Sequence, residues 1–423
     1  MDYNDYEILL ERCIAPSIPD LLHRPVNDSD FQQFLKSLDS NLELMLFKAE
    51  NQFENLEESA IVTLILIIGE QQRKGNWTTN SISIREGLLN IWNKILHNDS
   101  LLESRLIDCF NKIKTNLKRD TWKCHPSKIA CATFISHLIL ERYFKPTKDY
   151  YDLLLPATLL QVDDFEIENR VNGLKILKQI LAASQKEILS QCGLWNVMID
   201  AIKRVLYVKD VKVLEYAIDC LGFLIKLQCN TDLEKWGPGN EAVDILLQGI
   251  NGEQVLELRS VYTNALPELL NCMKFKILIW LNRLLTIYID YLDTSVTNNC
   301  LDEDTIHGIS ECIIVTLQYS RSFIFMYDYI IDKILLLLLR VDNCKIDQTK
   351  KEKSIQCLIT AVSILLSLNK IKFKEVQDIY NNHVSKTCNN YKLQWTKIFE
   401  IVKAESDSEE NVVSIYKKYV IIK

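Results

Sequence analysis

The residues of this sequence best suited to chemistry are Cys124, His125, Cys131 and His137, because thiolates and imidazoles are the ligands zinc prefers. Their spacing denies them the role. A structural zinc site usually takes two cysteines from one short turn, two to four residues apart, and no such pair occurs here. Cys131 and His137 stand six residues apart, on different faces of a helix. The cluster reads as buried thiols beside a helix-surface histidine, with no metal and no cofactor expected. The remaining histidines, His23, His97, His307 and His383, are dispersed, and none sits in an H-E-x-x-H pair. A phosphate-cradling G-x-x-x-x-G-K-[ST], a G-x-G-x-x-G after a strand and a G-x-S-x-G elbow are all absent. The run Asp302-Glu303-Asp304 reads as a solvated turn rather than an acid/base pair. No catalytic residue is expected, and the chain is not expected to be an enzyme.

Two other charged features have functional alternatives. Lys112, Lys114, Lys118, Arg119 and Lys123 gather near one helix end, where cations complement the helix dipole; the alternative is a patch for an anionic partner. Glu405-Ser406-Asp407-Ser408-Glu409-Glu410 sets two serines among acids in a linker. Ser406 and Ser408 suit an acid-directed kinase, and each phosphoryl group would add roughly −1.5 to −2 charge. The segment is similar to acidic phosphoserine sequences that dock kinase-assembly chaperone adaptors.

The elements that must hold these residues are helices. The 423 residues are 48% hydrophobic and 25% charged, the balance of a folded chain. Only 11 Gly and 8 Pro are present, too few for the corners of a turn-rich β architecture. Phe31, Phe34, Leu35, Leu38, Leu42, Met45 and Leu46 follow helical spacing, as do Leu358, Ile359, Val362, Leu365 and Leu366. The β-branched run Ile61–Ile68 is ambiguous with a buried strand and is assigned to a helix because its neighbours are helical. Periodicity yields roughly nineteen candidate helices.

A net charge of −7 argues against nucleic acid as the main partner. No apolar stretch approaches the ~20 residues that cross a bilayer. The acid-rich Met1–Glu7 lacks the order of a signal peptide. The expected location is the cytoplasm, or the nucleus as well, without membrane association.

A repeat organises the helices. At Asp163-Asp164 one helix ends and another begins, and the pattern returns at Asp210, 46 residues after Asp164. At that offset Leu177 falls on Phe223 and Leu181 on Leu227, and the period is that of HEAT and armadillo repeats. Gly173, one turn into its helix, lets the paired helix approach closely. Pro156 and Pro267 should kink or restart theirs. The expected fold is all-α, an α-solenoid of HEAT/armadillo-like helical hairpins. Four regions are expected: an N-terminal helical region over 1–148, HEAT-like repeats over 149–293, a C-terminal helical region over 294–403, and an acidic linker with a terminal helix over 404–423. Trp236-Gly237-Pro238-Gly239-Asn240 is the strongest turn, and 294–304 and 342–352 are polar loops.

Asp163 to Leu177, with Arg170 and Gly173 inside it, and Leu258 to Pro267, with Arg259, Tyr262 and Pro267, together with Thr121 to Pro126, resemble the Tti-two family of Tel-two-interacting proteins. The likeness runs from about residue 120 to 300 and is most specific in the Leu-Arg…Tyr…Leu-Pro order at 258–267. The resemblance implies a scaffold without catalytic residues, one subunit of the Triple T co-chaperone complex. Its implied partners are Tti-one and Tel-two type subunits and, indirectly, Hsp-ninety-type chaperone machinery. The implied clients are phosphatidylinositol-3-kinase-related kinases such as mTOR, ATM and ATR, which connects the family to mTOR signalling and the DNA damage response.

Other readings share the helical fold: a repeat adaptor in nuclear transport or vesicle coats, and an α-helical enzyme, for which neither a basic groove nor a convergent acid/base set is present. Trp92, Trp195, Trp280 and Trp395 are candidates for either core or interface anchors. Ile334 to Leu339 is apolar nearly all round, which predicts burial on both sides by the fold or by a partner. Partner docking is expected on the helices from Ile306 onward.

Overall fold

Long runs of Leu, Ile, Lys and Glu without internal glycine pairs or strand-like alternation leave the chain few alternatives to helix. The computed structural model describes residues 3–97, 101–228, 237–296, 300–344, 348–386, 389–406, 408 and 410–420. Among these, twenty α-helices follow one another: α1 (Tyr3–Cys13), α2 (Gln32–Gln52), α3 (Glu58–Gln72), α4 (Ile82–His97), α5 (Leu102–Lys114), α6 (Pro126–Arg142), α7 (Lys148–Val162), α8 (Ile167–Ala183), α9 (Lys186–Gln191), α10 (Leu194–Val205), α11 (Val211–Gln228), α12 (Pro238–Ile250), α13 (Leu256–Met273), α14 (Leu281–Thr294), α15 (Glu303–Ser320), α16 (Asp328–Asn343), α17 (Gln348–Leu368), α18 (Lys370–Asn382), α19 (Asn389–Glu405) and α20 (Val412–Tyr419). No strand occurs among the described residues; Val296 and Leu301 form one isolated bridge. No described helix is long and apolar enough to cross a membrane. The expected all-α fold of stacked hairpins is what the chain adopts, and the ambiguous run Ile61–Ile68 lies inside α3.

Two units divide at residue 194. In the N-terminal unit (Met1–Leu194), α3 packs on α5 and α6, and α6 packs on α8. Gly173 of α8 lies against the end of α7, where an added Cβ would stand 2.7 Å from the backbone nitrogen of Val162. The closeness read from the sequence is therefore real.

The C-terminal unit (Trp195–Lys423) stacks α11, α13, α15, α17 and α19 side by side as one layer. Helices α12, α14, α16 and α18 follow as a second layer. There Asp244 of α12 pairs with Arg283 of α14 at 2.6 Å, Asp293 of α14 with Lys333 of α16 at 2.6 Å, and Asp332 of α16 with Lys372 of α18 at 2.9 Å. Each pair is partly solvated and worth ~0.5 kcal/mol, so the ladder fixes register more than it adds stability. Helix α15 is covered by α13, α14, α17 and α20, and α20 seats Val412, Ile415 and Tyr416 against α15 and α17.

The prolines do not restart their helices. Both α7 and α13 run through Pro156 and Pro267. In α13 the missing N–H of Pro267 leaves the Thr263 carbonyl without its helical donor. The Cys312 thiol of α15 lies 3.9 Å from that oxygen, and Gly308 of α15 packs on the same residue.

Three expectations need correction. The buried face of α11 is two residues out of phase with the sequence alignment, since the helix starts Ile167 and Val211 are 44 residues apart. Buried Leu177 and Leu181 correspond to buried Leu221 and Ile225, while Phe223 and Leu227 are only half-buried. The turns before α8 and α11 differ in length, which shifts the register. The loop expected over 342–352 is shorter, since α16 runs to Asn343 and α17 starts at Gln348. The fold does not bury α16 on both sides, because Leu336 and Leu339 face outward while Ile334, Leu335, Leu337 and Leu338 are buried. Trp236 of the expected turn, the loop positions 297–299 and 345–347, and Asp407 and Glu409 of the acidic linker lie outside the described residues.

Candidate protein-docking surface

The residues that carried the sequence resemblance hold helices together. Asp163 ends α7, its N–H bonding to the Leu159 carbonyl at 3.1 Å. Asp164 is 3% exposed and accepts from Asn169 Nδ2 at 2.6 Å. Burial pushes the Asp164 carboxyl above its ordinary value, against the lowering by the Asn169 hydrogen bond. Asn169 in turn accepts from Arg73 at the end of α3, and Arg73 also pairs with Glu168 at 2.6 Å. Arg170 is half-buried on α8. These contacts tie the turn between α7 and α8 to α3.

In the C-terminal unit Arg259 is buried over the ring of Tyr291, 4.4 Å from its centroid, and Nη2 donates to the Tyr291 carbonyl at 3.0 Å. The Tyr291 hydroxyl donates to the Ile250 carbonyl at 2.9 Å, so one stack joins α12, α13 and α14. Tyr262 is buried beneath Lys209, which pairs with Glu253 at 2.6 Å.

The candidate metal ligands do not converge. Cys124 Sγ lies near the Pro19 carbonyl and Cys131 Sγ near that of Leu66, while His137 Nδ1 meets Gln179 at 3.0 Å. No group of three or more metal-ligating side chains occurs among the described residues. Burial pushes the Cys13 thiol up to about 12 and the Cys357 thiol up to about 11, and raises Cys131 and Cys312 well above the usual range. A thiol so placed is a packing group rather than a nucleophile. Cys357 borders a cavity of about 400 Å³ with Glu303, Asp304, His307, Lys353 and Val420, yet its thiol is held protonated at neutral pH. Lys112 and Lys114 occupy the last turn of α5, and Lys123 lies over the Phe165 ring at 4.8 Å.

Ser406 donates to the Lys403 carbonyl at 3.4 Å, and Ser408 is exposed, accepting from the Glu410 N–H at 3.2 Å. Glu405 precedes them at the end of α19. Its buried carboxylate accepts from Lys418 Nζ at 3.0 Å and Tyr419 Oη at 2.7 Å.

The outward-facing apolar residues are not the tryptophans. Trp92, Trp280 and Trp395 are buried and Trp195 is half-buried. In the C-terminal unit one set of the outward-facing residues lies at the corners that end three parallel helices of the first layer. After α13 comes the 3-10 segment Lys274–Trp280, with Phe275 57% exposed; after α15 comes Arg321–Tyr327, with Phe325 64% exposed; after α17 comes the start of α18, with Ile371 85% exposed. The corners adjoin. Phe275 meets Tyr319 edge-on with centroids 5.6 Å apart, and Asn369 donates to Asp328 at 2.7 Å. Phe275, Phe323 and Ile371 are equally spaced, 48 residues apart, a repeat visible in the sequence once the corners are known.

Stacked helical hairpins with a row of exposed apolar corners define a helical-repeat protein. Within that class the resemblance drawn from the sequence holds: the model of the Tti2 family matches residues 108–297, which include every residue from Asp163 to Pro267 discussed above. Among curated proteins, the chain is similar to TELO2-interacting protein 2 of Homo sapiens, 26% identical over 202 residues, covering 45% of this chain and 38% of that protein. The counterpart of Mus musculus is 24% identical, covering 49% of this chain and 41% of that protein. The matches thus span about two fifths of these relatives' length. Among solved structures, an engineered protein is 10% identical with a TM-score of 0.42, covering 100% of this chain and 98% of that one. Kap121p bound to Pho4p is 15% identical with a TM-score of 0.41, covering 96% and 46%.

Proposed function

We propose that this chain is a non-catalytic scaffold subunit of the Triple T co-chaperone complex, holding Tel-two and Tti-one type subunits and so supporting the maturation of phosphatidylinositol-3-kinase-related kinases with Hsp-ninety-type machinery. The observation that carries the reading is the Tti2 family match over residues 108–297, with relatives whose name states an interaction with TELO2. The packing supports it, since the family-like residues Asp164, Arg259 and Tyr262 are spent on holding helices and the exposed corners are left for partners. The reading places the protein in the cytoplasm, or in the nucleus as well.

Affinity purification of the tagged full chain tests it. Recovery of Tel-two and Tti-one type proteins is expected, and recovery of nucleoporins or coat subunits in their place would favour the transport or coat adaptor. Depletion of the protein should lower the levels of the large kinases; unchanged levels would sink the reading. Within the same complex, phosphorylated Ser408 is expected to recruit a kinase-assembly adaptor, an idea that fails if the Ser406→Ala/Ser408→Ala variant captures the adaptor as well as the parent does.

A further inference from the structure

We propose that the three helix corners of the C-terminal unit form one binding ridge for an acidic, apolar-faced helix of a partner protein. The proposal rests on the scaffold reading above and adds the chemistry of what is held. The chain as a whole is acidic, yet the corners are basic: Lys274, Arg321, Lys370 and Lys374 are exposed there and Lys276 is half-buried. None of these five has an ion-pair partner among the described residues. The cations on the neighbouring second layer, Arg283, Lys333 and Lys372, are all paired with acids.

Two of the acids near the ridge in sequence are already engaged. Asp328 accepts from Asn369 at 2.7 Å, and Glu375 accepts from Lys372 at 3.1 Å. The corner charge is therefore left for a ligand, and exposed Phe275, Phe323, Phe325 and Ile371 stand between the cations. A surface that alternates cations with uncovered apolar groups complements a helix with acids on one side and leucine-like residues on the other. Helices in a layer sit ~10 Å apart, so three corners span ~20 Å, the length of a helix of roughly 14 residues. A branched aliphatic residue at the most exposed corner offers no stacking face for a nucleobase, which favours protein over nucleic acid.

The test is fluorescence anisotropy of the full chain with a labelled helical peptide of roughly 16 residues, glutamates on one face and leucines on the other. A peptide with every glutamate replaced by glutamine is the control. The acidic peptide is expected to bind at least about tenfold more tightly than the control, and less tightly as salt is raised. The Lys274→Glu/Arg321→Glu/Lys370→Glu variant and the Phe325→Ser/Ile371→Ser variant should each lose binding by about tenfold or more. All five side chains are exposed, and an unchanged melting temperature confirms that the variants are folded. Equal binding of both peptides, no binding of the acidic one, or binding untouched by either variant would overturn the proposal. So would tighter binding of anionic vesicles or duplex DNA through the same residues. A failed peptide assay leaves the Tel-two co-purification above intact, and a failed co-purification leaves the ridge to be decided by the peptide.

Discussion

Gly308 of α15 lies directly against Thr263 of α13: an added Cβ would stand 2.6 Å from the Thr263 Cβ and 2.7 Å from its carbonyl oxygen. The contact is to backbone, which cannot rotate away. Gly173 meets the backbone of Val162 in the same manner, whereas Gly222 of α11 has nothing within 4 Å of an added Cβ. Alanine at position 173 or 308 should therefore destabilise by ~1–3 kcal/mol through overpacking. Alanine at 222 should stabilise by ~0.5–1 kcal/mol through reduced chain entropy. Denaturant titration of the three variants checks this, and a common sign for all three would refute the close-approach argument.

Glu70 is fully buried, pairs with Lys128 of α6, and accepts from the Ala15 N–H at 3.0 Å. It links α3, α6 and the chain after α1. Removing the cation by Lys128→Met leaves a buried carboxylate unpaired and should cost ~3–5 kcal/mol. Adding Glu70→Gln to that variant should recover part of the loss, because the remaining buried group is then neutral. Equilibrium unfolding of single and double variants measures the coupling. If the double variant is the least stable of the set, the penalty does not come from the orphaned charge.

Glu70 illustrates what the sequence conceals. Its helix reads as an apolar run, and a carboxylate at its end looks solvated until α6 brings Lys128 to it. Helix existence was legible because 3.6-residue periodicity is a local signal, and Gly173 was legible because a glycine in a strong helix pattern needs a packing reason. The ridge was not legible. Phe275, Phe323 and Ile371 carry the same spacing, but an exposed aromatic and a buried one look alike in one dimension, and only helix ends decide which is which. The tryptophans drew attention by size, and size favours burial.

Asp164 gives a pH signature. Burial raises its folded-state pKa above that of the unfolded chain, so the folded state prefers the proton. The stability it contributes is complete below the ordinary carboxyl range of ~4 and is lost as pH rises through the raised value. Asp164→Asn keeps an acceptor for Asn169 without the charge. Its melting temperature at neutral pH should equal or exceed that of the parent, and the difference should vanish in acid. A variant less stable at neutral pH than in acid, relative to the parent, would mean that the charged carboxylate is favoured where it lies.

Glu405 has the opposite sign. Burial pushes its carboxyl up, but the hydrogen bonds from Tyr419 and Lys418 outweigh that and hold it below the usual range. Both donors sit at the end of α20, so the anchor is local to the docking of that helix on α15 and α17. A depressed pKa contributes stability above the unfolded value and loses it as pH falls through the folded one. Amide exchange over residues 412–420 should therefore accelerate as the pH drops below the ordinary glutamate range, beyond the intrinsic change in exchange rate, while α13 and α15 stay protected. Glu405→Gln should give the faster exchange already at neutral pH and flatten the pH dependence, because its amide cannot ionise. Equal protection of α20 in parent and variant from neutral pH down to 4 would show that Val412, Ile415 and Tyr416 alone hold the helix, with the carboxylate a bystander.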